Sequence, residues 1–260
     1  MHTKPTTHTT ATAPAPANNK GTKFLAISAG LICLALALCS ALWLWSSVLT
    51  VRPEKLLSQW QQKPAEFDKA LATSLLPRLK QSLAFNASDA NSYFLLAGLY
   101  QLLAEHGGET GDKPNNQQQD YFDLAEANYK KALQQQPTWD YAWAKLASFY
   151  NNNNYQVKLT LPVLNQAMLL GPYELETQKI LIPLIIEHWA FVSEVPAMSE
   201  QAEKILRQSL KFGTNARLVL EAAKQFNKLD ELTTLVTTQS QINRLKKYKK
   251  EHAKQASIQN

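Results

Sequence analysis

The chain has 260 residues, 45% of them hydrophobic, with two cysteines and a formal charge of +6 at pH 7. That charge is uneven. Arg244, Lys246, Lys247, Lys249, Lys250 and Lys254 face only Glu251 near the C-terminus, and Lys4, Lys20 and Lys23 lie in the N-terminal tail, so the body from Val51 to Ser240 is near neutral and a nucleic-acid-binding body is not indicated.

Residues 1–22 are mostly Thr, Ala, Pro and Asn, with too little apolar surface to pack, and are expected to form a disordered tail. Residues 23–51 follow as an anchor. From Phe24 to Val51 no side chain is charged, which exceeds the roughly 20 apolar residues that a membrane-spanning helix needs. Trp43 and Trp45 suit the interface at its far end. A cleaved signal peptide is the rival reading, but its apolar region is usually about 7 to 15 residues and ends in a small-x-small site, which this run lacks. Leu38 is too large to precede a lipid-modified Cys39. Cys33 and Cys39 both fall inside the run, leaving the rest of the chain without a disulfide, a thiol nucleophile or a thiolate metal site. A short basic tail before the anchor and a large domain after it predict a single-pass protein of the bacterial inner membrane with its soluble domain in the periplasm.

Residues 52–88 read as linking helices, over Glu54 to Gln62 and Glu66 to Ser82. Residues 89–240 carry a repeat. Tyr93, Leu96, Ala97 and Tyr100, then Ala125, Tyr129, Ala132 and Pro137, keep the intervals of a tetratricopeptide unit. Trp143, Leu146, Ala147 and Tyr150, then Leu164, Ala167 and Pro172, make a second unit, with the turn at Asn151 to Asn154. The small residues let paired helices approach, the aromatics fill the space between pairs, and Pro stops each second helix. A weaker third unit uses Ile180 to Trp189, with a kink expected at Pro183, and Ala202, Leu206 and Ser209, with Thr214 in place of the Pro. Residues 215–227 and 229–245 supply a final helix pair, and residues 241–260 a basic tail. Between the helices of the first unit, residues 104–120 form a long polar loop, EHGGETGDKPNNQQQD in its greater part. The expected fold is all-α: an N-terminal transmembrane helix followed by a tetratricopeptide-like helical-hairpin solenoid.

Catalytic signals are lacking. His2, His8, His106, His188 and His252 share no metal-ligand spacing, and no zinc-protease, nucleophile-elbow, Walker or Rossmann motif occurs. His188, beside Trp189, reads as a structural histidine, and Glu174 and Glu176 as helix-start carboxylates. No cofactor, metal or catalytic residue is expected. In a stacked array the first helices line a concave surface, here presenting Asn91, Phe94, Gln101, Tyr141, Ser148, Asn151, Asn152, Lys179 and Glu187 to an extended peptide or a glycan. The run NRLKKYKKEHAK offers Arg244, Lys246, Lys247, Lys249 and Lys250 to anionic lipid or an acidic polymer, or is simply a solvated helix end.

PTWDYAWAKLASFY (137–150), preceded by AEANYKKAL and followed by LNQAMLLGPYELETQ (164–178), resembles the VpsP-type polysaccharide-biosynthesis proteins over roughly Asp89 to Leu232. The resemblance implies a single-anchor, tetratricopeptide-like accessory protein from a bacterial exopolysaccharide cluster, with no catalytic residue to carry over. The expected function is a non-enzymatic scaffold that holds proteins of a polysaccharide synthesis or export machinery at the membrane. A periplasmic chaperone or cytochrome-assembly adaptor is the second reading, and an enzyme acting on sugars the third.

Overall fold

The computed structural model describes residues 20–106, 116–153, 157–211, 213–236, 238–239, 241–243 and 245–250. The N-terminal tail before Lys20, the middle of the polar loop, Asn154, Arg244 and residues 251–260 lie outside them. Every element among the described residues is helical.

The Leu- and Ala-rich run has high helix propensity and forms α1 (Lys20–Gln62), which carries the one described segment long and apolar enough to cross a membrane. α1 does not stop where the apolar run ends. It continues through Pro53, so Glu54 to Gln62, expected as a separate linking helix, is the last part of the same helix. The reason is tertiary. Ser46, Leu49, Thr50, Pro53, Leu57 and Trp60 recur every three or four residues on one face, and that face is buried. Packing there offsets the backbone hydrogen bond that Pro53 cannot donate.

A one-turn 3₁₀ helix, Pro64–Glu66, reverses the chain. Asp68 then caps α2 (Lys69–Phe85) by accepting from the Leu71 N–H at 2.9 Å. α3 (Ala90–His106) and α4 (Asn116–Gln135) form the next pair, so the 104–120 segment is helical at both ends and its loop is shorter than expected. α5 (Asp140–Asn152) and α6 (Val157–Leu170) follow, with Asn151 and Asn152 inside α5 rather than in the turn. Pro137 and Pro172 each fall two residues past a helix end, where a missing N–H costs nothing. α7 (Leu175–Glu187) runs through Pro183 and ends at His188, after which come α8 (Trp189–Glu194), α9 (Pro196–Ser209) and α10 (Gly213–Gln225). Thr214 therefore stands inside a helix. The helix expected over 229–245 is instead a short 3₁₀ turn, Glu231–Thr234, with α-helical residues resuming at 239, 241–243 and 245–250.

Side-chain contacts fix the directions. Tyr93 meets Lys131, Tyr100 stacks on Tyr121, and Gln118 donates to the Ala104 carbonyl, so α3 and α4 are antiparallel. α1 and α2 are also antiparallel: the Ser46 and Ser82 hydroxyls are 2.7 Å apart at one end, and Trp60 meets Phe67 edge-on at 5.3 Å at the other. Ser82 also reaches the Ser92 hydroxyl at 2.8 Å, and Ser92 donates to the Asp89 carboxylate at 2.6 Å. This buried serine chain joins α1, α2 and α3 without a space-filling side chain. The core divides into two apolar clusters, one around Trp60, Leu79, Leu99, Leu103, Tyr129 and Phe149, the other around Leu164, Met168, Leu181, Ile182, Ile185 and Ile205. Trp143 and Val163 pack against both, so the pairs form a continuous interior.

Candidate functional site

Helical spacing builds a cleft at the end of the array far from Ser46. On α3, Gly98, Gln101 and Glu105 follow one another at three and four residues, and on α5 so do Lys145, Ser148 and Asn152. These two faces, closed by Trp60, Gln61 and Pro64, enclose a cleft of about 260 Å³. Gly98 gives α1 its place here, because a Cβ there would come within 2.7 Å of the Leu57 side chain.

The polar groups of the cleft are held in order from below. Tyr129, buried on α4, donates its hydroxyl to Gln101 Oε1 at 2.9 Å, and Gln101 Nε2 donates to Glu105 Oε1 at 2.7 Å. Gln101 is thereby fixed in one amide orientation. Burial, then the charge of Glu105 and the nearby Tyr141, pushes the Tyr129 phenol well above the usual range, so it remains a donor. The Tyr141 phenol is raised too, by burial and by Glu176. Lys145 places its ammonium 5.8 Å from the Tyr141 ring centroid. Burial lowers its pKa, while Glu105 pulls the other way. The cleft therefore presents one cation, one carboxylate, amides and an indole wall, a set suited to hydrogen-bonding and charge contacts with a polar ligand. Among the described residues no three His, Cys, Asp or Glu side chains converge to hold a metal ion.

Three of the residues expected on the concave face line this cleft: Gln101, Ser148 and Asn152. Phe94 does not. It is 7% exposed and packs among Tyr129, Trp139 and Tyr141, because the next pair of helices covers it. Tyr141 is half-buried beside it, and Asn91 is half-buried at the start of α3. Asn151 and Glu187 form a clamp between α5 and α7: Asn151 Nδ2 donates to Glu187 Oε2 at 2.9 Å, and Asn151 Oδ1 lies 2.6 Å from His188 Nε2. His188 is thus structural, as its apolar surroundings suggested. Lys179 is exposed and paired with Glu176 at 2.6 Å.

In the basic run, Lys246, Lys247 and Lys250 are exposed, whereas Lys249 is bound to Asp230 at 2.6 Å and is not open to an anionic surface. Arg244 lies outside the described residues.

Trp60, Glu105 and Lys145 line the cleft without having been expected there from the sequence, as does His106, which the sequence weighed only as a metal ligand. Lys145 and Glu105 were within reach, since each lies one turn from a named residue on the same face. Trp60 was not, because nothing local shows that the end of α1 folds back beside α3. A second, apolar groove of about 320 Å³ lies between α4, α5 and α6, lined by Leu133, Trp143, Leu146 and Val163 among others. Compared with known proteins, the chain matches no family model and no curated sequence.

Proposed function

We propose that this chain is a membrane-anchored, non-catalytic adaptor in which a tetratricopeptide-like array of helical hairpins holds a partner of a polysaccharide synthesis or export machinery. The observation that carries the reading is Trp60: the helix apolar enough to span a bilayer also forms one wall of the polar cleft. A ligand in the cleft would touch anchor and array together, and confinement at the inner membrane, with the domain in the periplasm, would raise the effective concentration of both partners. The polysaccharide assignment rests on the resemblance of residues 137–150 and 164–178 to VpsP-type proteins.

In-cell photocrosslinking from Ser148 and Asn152, followed by mass spectrometry, tests this function. A polysaccharide polymerase, transferase or export protein among the captured partners is the expected result, together with loss of exopolysaccharide on deletion of the gene. Capture of many unrelated envelope proteins, with polysaccharide output unchanged, would replace the adaptor with a general chaperone.

A further inference from the structure

We infer that the loop edge of the array around Leu169, Tyr173 and Leu175 rests on the lipid headgroups, so that the domain lies against the bilayer instead of hanging from α1 alone. The inference depends on α1 being a membrane span.

The level at which α1 leaves the bilayer follows from its contacts. Ser46 is buried against Ser82, so lipid must end at about Trp45. Phe24 to Trp45 rises about 33 Å at 1.5 Å per residue, enough for a hydrocarbon core of about 30 Å without the residues that follow. From Ser46 a series of contacts carries the same level across the array. Ser46 meets Ser82, which meets Ser92 near the start of α3. Two residues on, Phe94 meets Trp139 at 4.7 Å and Tyr141 at 5.8 Å, at the start of α5. Between them Asp140 accepts from Thr177 Oγ1 at 2.7 Å, and Gly171 lies so close to the Asp140 carboxylate that a Cβ would collide with it. α3, α5 and α7 thus start together on the side where α1 leaves the domain, and the segment joining α6 to α7 lies at that edge.

What this edge exposes is apolar. Of the seven large hydrophobic side chains exposed outside α1 among the described residues, three occur here: Leu169 at 57%, Tyr173 at 53% and Leu175 at 45%. Tyrosine with an apolar neighbour is the composition of a membrane-interface contact. Glu174 and Glu176 are exposed between and beside them, and their carboxylates must stay hydrated, which limits the contact to headgroup depth. The cleft, by contrast, lies at the other end of the same helices, turned away from the bilayer.

The test uses the full chain with C33A and C39A, reconstituted in phosphatidylethanolamine/phosphatidylglycerol vesicles and carrying one fluorescent label at L34C, Y173C or N152C. Lipids bearing a nitroxide near the headgroup or deep in the acyl chain serve as quenchers. The expected result is deep quenching at L34C, shallow quenching at Y173C, and shallow quenching several-fold weaker at N152C. If L34C is quenched but Y173C is no more accessible to the shallow probe than N152C, the edge stands off the membrane and the inference falls while the span survives. If L34C is unquenched, α1 is not a span and the inference falls with it.

Discussion

The two parts of α1 are the same kind of helix in different surroundings. From Phe24 to Trp45 the large apolar side chains are exposed, and the few hydroxyls bond back to their own helix, Ser28 to the Leu25 carbonyl and Ser40 to that of Leu36. From Ser46 to Trp60 one face is buried, and there the Ser46 hydroxyl bonds across to Ser82 on α2 while Ser47 and Thr50 still bond back to their own helix. In the first part, therefore, composition alone specifies the helix; in the second, contacts with residues distant in the sequence, such as Ser82 and Gly98, fix where it lies.

Truncating side chains on either side of this boundary should separate the two regimes. Trp60→Ala should destabilise the folded domain by about 3–5 kcal/mol through the cavity it leaves, while Leu34→Ala leaves domain unfolding unchanged. Urea denaturation in detergent, followed by circular dichroism, measures both; equal losses would mean that the apolar part of α1 also packs on the domain. A smaller effect is expected for Ser82→Ala. Ser46 keeps the Ser82 carbonyl and Ser92 keeps Asp89 as partners, so the cost should be about 0.5–1.5 kcal/mol, against none for Ser40→Ala.

The finest test concerns the cleft that α1 closes. Lys145 has a lowered pKa in the fold, chiefly from burial. Below that lowered pKa both states are protonated and the fold bears the full cost of the charge; as pH rises towards the unfolded value of 10.5, the fold releases its proton first and gains stability. Lys145→Met should therefore melt higher than the parent chain at neutral pH, and the margin should close through the alkaline range. A margin that widens with pH would show that the ammonium is stabilised where it lies.

Much of this was legible in the sequence. The spacing of Tyr93, Leu96, Ala97 and Tyr100, and of Trp143, Leu146, Ala147 and Tyr150, located α3 and α5, since a buried helical face must repeat at three and four residues whatever it packs against. Pro137 and Pro172 marked the helix ends for an equally local reason, a missing N–H. On the candidate site the same periodicity located Gln101, Ser148 and Asn152 but not Phe94, because it cannot distinguish a side chain open to a groove from one roofed by the next pair of helices. The uncharged run from Phe24 to Val51 is a helix suited to lipid by composition. Where that helix meets the array was decided by tertiary structure: Ser46 and Thr50 are polar, and only the Ser82 hydroxyl on α2, for Ser46, and the Ser47 carbonyl of their own helix, for Thr50, make their burial affordable. Trp60 depended on the same long-range closure, which brings the end of α1 beside α3 and completes the cleft.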